Sequence, residues 1–275
     1  MPGMMLFVLI STTPTVLGHF VWLDVSKQHQ ARLTFSEAAG APGPERLLDL
    51  VANSTFLFLD TNGSSRIQVP LTMERVGVMQ SELVSSQLPA APFMLEALCT
   101  FGIFGPNHDE LLKYYSNADR ARTQRDWFWI QASGKAELEI TLRDPWMKGT
   151  AGSNVAGDGD LAGYLGGAFR PGDECPPGSS TYQGDACVVA VVRFAGELIR
   201  SDVNVTTFDS SGRTLRATHL PAAARGVALI RVPMQDVDAQ SFASVNLREP
   251  KRGVYRGQSY NLVDHWATTS MILQR

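Results

Sequence analysis

The chain has 275 residues, with 44% hydrophobic and 19% charged residues, 24 glycines, 15 prolines and a formal charge of −3. That composition excludes collagen and low-complexity disorder, and it is apolar enough to bury a sizeable core. No block of five like charges occurs, so the basic patch of a nucleic-acid-binding protein is missing.

Residues 4–17, MMLFVLISTTPTVL, form the one long apolar stretch. It is too short to span a bilayer, which takes roughly 20 apolar residues, and it reads as the apolar region of a secretory leader over 1–18. Val16 and Gly18 are small enough for the −3 and −1 positions of a cleavage site after Gly18. The expected location is therefore extracellular, or periplasmic in a bacterium, with no membrane span left in the mature chain.

After Gly18 the pattern is strand-like. HFVWLDV, ARLTFSE, STFLFLD, RIQVPLTM, FMLEALCTFGIF, WFWIQAS, AELEITL, CVVAVVRF, VNVTTFD, GVALIRVPM and SFASVNLRE are short β-branched or aromatic runs separated by Gly, Pro, Asn or Ser clusters. In AELEITL, Ala136, Leu138, Ile140 and Leu142 share one face, and Glu137, Glu139 and Thr141 the other. Asn62-Gly63 and Ser133-Gly134 mark tight turns. Pro44–Asn53 is predicted helical, with Leu47, Leu48 and Val51 on one stripe. The stretch from His108 to Arg122 is readable as a short helix or, through Leu-Leu-Lys-Tyr-Tyr, as a strand.

From Asp144 to Ala186 the composition shifts to Gly, Pro, Ser and Asp. The expected organisation is all-β with minor α: a β-sandwich over 19–143, an insertion or linker over 144–186, and an immunoglobulin- or transthyretin-like sandwich over 187–275. Cys175 and Cys187 flank the turn-rich PPGSSTYQGDA and are expected to form a disulfide, which closing so short a loop makes worth roughly 3 kcal/mol. Cys99, in MLEALCTFGIF, reads as a buried free thiol. Asn53, Asn62 and Asn204 head glycosylation sequons if the host is a eukaryote.

Cleavage after Gly18 would make His19 the first mature residue. An N-terminal histidine offers its α-amine and imidazole to one metal ion as a chelate. A second imidazole completes a nitrogen-rich site suited to copper. The amine ligates near neutral pH because its pKa is only about 8. His265, in NLVDHWATTSMIL, is the second imidazole favoured here, with Asp264 and Trp266 on the opposite face of its strand. Glu37, at the end of ARLTFSE, is a third possible ligand. His108 reads as a turn residue, and His29 and His219 as exposed. Asn154, Asp158 and Asp160 miss the calcium-loop spacing. No CxxC, HExxH, P-loop or GxSxG motif occurs. Trp127, Phe128 and Trp129 read as core on one face with one exposed tryptophan or, alternatively, as a cluster that stacks on a sugar ring, with Trp127 and Trp129 as the candidate contacts to a glycan or partner.

The order of segments resembles a family. His19-Phe20-Val21-Trp22-Leu23 follows the leader. Leu33 to Glu37, Pro44 to Leu48, Phe101-Gly102 and Leu111 to Ser116 come next. Gly253 to Tyr260 and His265 to Thr269 close the chain. This is similar to a domain of unknown function found in secreted bacterial proteins, common in planctomycetes, and grouped with nickel-uptake substrate-specific components. The resemblance covers most of 19–143 and 188–273 but not the loop between them. It implies β-sandwich domains, the second similar to carboxypeptidase-regulatory or transthyretin-like modules, and it places His19, Glu37 and His265 inside matching motifs. The sequons and the cysteine pair depart from the bacterial pattern and point toward a eukaryotic relative.

Three functions are expected from these residues. The first is a secreted, non-catalytic copper- or nickel-binding protein for scavenging or delivery. The second is an extracellular structural, glycan- or protein-binding module using Trp127 or Trp129. The third is an oxidative copper enzyme acting on polysaccharide, which would need an open coordination position.

Overall fold

The computed structural model describes residues 19–26, 28–61, 66–120, 136–143, 175, 181–182, 185–208, 214–233 and 240–272. The leader, the Asn62 sequon, Ser133-Gly134, the group Trp127, Phe128 and Trp129, and nearly all of the 144–186 insertion lie outside the described residues.

The protein is all-β with minor helix, as expected. In the first half, β1 (Phe20–Val25), β2 (Gln30–Ser36) and β3 (Gly43–Pro44) lead into α1 (Glu45–Ala52). Then follow β4 (Thr55–Asp60), β5 (Arg66–Val69), β6 (Leu71–Gly77), β7 (Gln80–Gln87), β8 (Met94–Phe104) and β9 (Glu110–Asp119). The ambiguous run after His108 is thus a strand. Its alternation sends Tyr114 into one core and Tyr115 into another. In the second half come β10 (Leu138–Arg143), β11 (Thr181–Tyr182), β12 (Asp185–Phe194), β13 (Glu197–Leu198), β14 (Val203–Phe208), β15 (Thr214–Leu220), β16 (Val227–Pro233), β17 (Gln240–Tyr255) and β18 (Gln258–Ile272).

Three sheets form. The largest runs β15-β14-β17-β18-β9-β8-β4-β5 and draws strands from both halves. Its halves meet where β18 pairs with β9 in parallel, from Leu262 opposite Glu110 to Ser270 opposite Ala118. Every other pairing among the described residues is antiparallel. A second sheet, β1-β2-β7-β3 with β6, covers one face of the large sheet and encloses a core that includes Val21, Leu33, Phe35, Leu48, Leu57, Leu95 and Tyr114. A third sheet, β10-β12-β11 with β13 and β16, covers the other face over Leu138, Ile140, Val188, Val192, Val205, Ile230, Val245 and Ala267.

Two sandwiches are therefore present, but they share their middle layer. β10 belongs with β12, so the expected boundary at 143 separates β10 from the chain segment it pairs with. Leu138, Ile140 and Leu142 face the core as their alternation predicts. Glu139 and Thr141 on the opposite face are also buried, so that face is not a solvent face. Cys175 and Cys187 form the expected disulfide, which fixes residue 175 to β12. Cys99 is buried and free, and burial pushes its thiol pKa up.

Candidate functional site

β1 is an edge strand whose outer backbone groups are met by side chains of the large sheet. The Leu23 N–H donates to Ser116 Oγ at 2.9 Å. Ser116 and Thr268 hydroxyls lie 2.6 Å apart, and Thr268 donates to the Val21 carbonyl at 2.6 Å. Each hydroxyl thus accepts one bond and passes one on. On the other side β1 pairs with β2 in a register that sets Phe20 opposite Ser36. The next pair outward brings His19 to Glu37.

His19 Nδ1 lies 4.0 Å from Glu37 Oε1, with the two side chains 30% and 48% exposed. The imidazole packs beside the Phe35 ring, centroid to centroid 5.8 Å. The turn that follows is closed by Ser36, whose Oγ lies 2.6 Å from the Ala38 carbonyl and 3.0 Å from that of Ala41. Gly40 has φ +68, and a Cβ there would meet the Phe242 ring at 2.9 Å, so glycine is needed on both counts. The backbone carrying Glu37 is therefore held against the large sheet.

His265 is not part of this arrangement. Trp266, its neighbour on β18, faces β1 and meets the Phe20 ring edge-on at 5.0 Å. His265 projects from the other face and is fully buried between Tyr115 and Phe194, with centroids at 5.9 and 5.3 Å. The large sheet stands between His265 and His19. Pairing these two imidazoles on one ion is therefore corrected by the alternation of β18.

Both nitrogens of His265 already have partners. Nδ1 is 3.1 Å from Tyr115 Oη and 3.5 Å from Glu137 Oε2, and Nε2 is 3.3 Å from Glu249 Oε2. Nε2–H is assigned as the donor to Glu249 from its partners, and the Tyr115 hydroxyl donates to Glu137 Oε2 at 3.2 Å. Lys113 in turn donates to Glu137 at 2.7 Å. Burial pulls the His265 pKa below its ordinary 6.5, against the two carboxylates that favour the charged ring. Glu137 is held below the usual carboxylate range: Lys113 and His265 outweigh its own burial.

Glu137 escapes sequence reading because it reaches His265 only through tertiary packing, whereas Glu249 lies on the neighbouring hairpin strand β17, diagonal to His265. Among the described residues no group of three or more His, Cys, Asp and Glu side chains is placed to hold a metal ion. His19 and Glu37 are two such side chains, and the α-amine of a chain starting at His19 would be a third donor. Of the remaining positions, Asn53 and Asn204 are exposed, and so are His29, His108 and His219. A cleft beyond the end of α1, lined by Phe56, Leu71 and Met73, holds no ionisable side chain. Among the described residues no helix is long and apolar enough to cross a membrane.

No family model matches the chain, and no curated protein matches it. Among solved structures, a tetra-tandem repeat from the extending region of a large adhesion protein matches at 10% identity and TM-score 0.22. The match covers 92% of this chain and 49% of that one, so this chain spans about half of that structure. A cytokine receptor complex matches at 13% identity and TM-score 0.21, covering 92% of this chain and 95% of that one.

Proposed function

We propose that this chain is a secreted β-protein that binds a copper or nickel ion at the start of β1 and scavenges or delivers it without catalysis. The supporting observation is the β1–β2 register, which sets accessible His19 across from accessible Glu37 at 4.0 Å. Once the leader is removed after Gly18, the His19 α-amine and imidazole form a chelate, and Glu37 adds an anionic oxygen. Nitrogen donors with one carboxylate suit copper and nickel better than hard, oxygen-seeking cations. In this reading Glu37, already a possible third ligand, serves beside His19 without His265.

Calorimetric titration with copper(II) and nickel(II) tests this on protein that begins at His19. One equivalent should bind. One extra glycine before His19, or His19→Ala, should weaken binding by about 100-fold, which is about 2.7 kcal/mol. Glu37→Gln should cost about tenfold, and His265→Gln should leave affinity unchanged. Equal affinity in the glycine-extended protein would overturn the proposal.

A further inference from the structure

The long hairpin of β17 and β18 ends in a locally basic segment. In a molecule of formal charge −3, residues 248–256 hold Arg248, Lys251, Arg252 and Arg256 against the single carboxylate Glu249. Arg248 is committed to Glu110 at 2.6 Å, and Lys251 lies 3.6 Å from Glu249. Among the described residues Arg252 and Arg256 enter no ion pair, and both are exposed.

The hairpin end is also braced. Asn261 donates from its backbone N–H to the Asp109 carbonyl at 3.0 Å and from its side chain to Asp109 Oδ2 at 2.6 Å. Gln258 donates to the His108 carbonyl at 3.1 Å. The Tyr260 ring lies so close over Gly253 that a Cβ there would sit 2.3 Å from its hydroxyl. Arg256 and Gly257 both have positive φ, as a type I′ hairpin turn requires. At this end Val254 is 68% exposed, and the Arg256 guanidinium lies 5.2 Å from the Tyr255 ring centroid.

We propose that this hairpin end, through Arg252, Tyr255 and Arg256, docks an anionic polysaccharide bearing sulfate or carboxylate groups. Guanidinium groups match the planar, bidentate geometry of such anions, and a tyrosine ring stacks on a sugar face. Because neighbouring strands already hold the hairpin, little ordering cost falls on binding. A single polymer strand can reach the hairpin alone, whereas a flat anionic bilayer would also face the net-negative body. Screening within about 8 Å at physiological salt confines the attraction to the hairpin end. The site is independent of His19.

Binding of the full chain to immobilised dextran sulfate and to neutral dextran, each at 0.05 and 0.15 M NaCl, tests the proposal. Dextran sulfate should bind in a salt-dependent way and neutral dextran should not. Arg252→Ala with Arg256→Ala should weaken binding at least tenfold and flatten its salt dependence. Tyr255→Ala should weaken it about threefold. The paired changes Arg46→Ala and Arg200→Ala remove two exposed cations elsewhere and should alter affinity less than twofold, as should His19→Ala. Unchanged melting temperatures certify the fold of each variant. The proposal fails if both double variants lose affinity equally, if no binding occurs, or if phosphatidylserine vesicles are bound in preference to dextran sulfate.

Discussion

His265 and Glu139 are both shut away from water, and burial moves their pKa values in opposite directions. An unfolded His265 takes its proton near pH 6.5, but the buried ring resists it. The stability tied to the neutral ring is complete above pH 6.5 and is lost as pH falls through the lower folded value. Glu139 runs the other way. Burial pushes its carboxyl from 4.5 up to about 7, with Arg193 opposing and Glu96 and Asp119 adding. The stability tied to the protonated carboxyl is complete below pH 4.5 and is lost as pH rises through about 7. The two effects partly cancel between pH 4.5 and 6.5, so the parent protein hides both and single variants separate them. In urea unfolding from pH 4.5 to 8, Glu139→Gln should gain on the parent as pH rises, by about 3 kcal/mol at most. His265→Gln should close its gap to the parent as pH falls below 6.5. Differences that do not change with pH would place neither group's titration in the folding equilibrium.

Among the elements, β1 shows what sequence could and could not reveal. Its apolar alternation, and that of β2, is plain in HFVWLDV and ARLTFSE, and a turn at Ser26 to His29 joins them. Local pattern is enough there because hairpin partners are neighbours in the chain. The parallel pairing of β18 with β9 joins residues about 150 positions apart and leaves no local mark, so the meeting of His265 with Tyr115 was illegible. The same pairing brings Ser116 and Thr268 together under β1. Thr268→Val keeps the shape and removes the hydroxyl. The Val21 carbonyl then loses a donor and the Ser116 hydroxyl an acceptor, both in buried surroundings. A lost buried partner costs about 1–3 kcal/mol. Urea denaturation should show a lower midpoint with an unchanged slope. Because β1 presents His19 to Glu37, the proposed metal binding should weaken in the same variant. An unchanged midpoint would mean that water substitutes for the hydroxyl and that the chain of bonds does not hold β1.

For the whole molecule, the shared sheet decides how the protein comes apart. A chain of two independent sandwiches would bury each core between its own strands, and each would melt alone. Here β9 sends Tyr114 into one core and Tyr115 into the other. On β18, Trp266 packs against the first core while Ala267 and Met271 lie in the second. Unfolding either half would therefore strip one face of the β9–β18 pair and break the parallel ladder from Leu262 to Ser270. Each large side chain exposed that way costs about 1.5–3 kcal/mol, so the half left behind loses several kcal/mol of its own burial. That is comparable with the whole stability of an ordinary domain, about 5–15 kcal/mol. A half-unfolded state should then be too poorly populated to detect. Calorimetry should give one transition whose calorimetric and van't Hoff enthalpies agree, with coincident near- and far-ultraviolet circular dichroism. Reducing the Cys175–Cys187 disulfide should lower that transition without splitting it, because the bond ties residue 175 to β12 and does not join the halves. Two resolved transitions would show that the parallel ladder is too weak to couple the sandwiches, and that each core stands on its own strands.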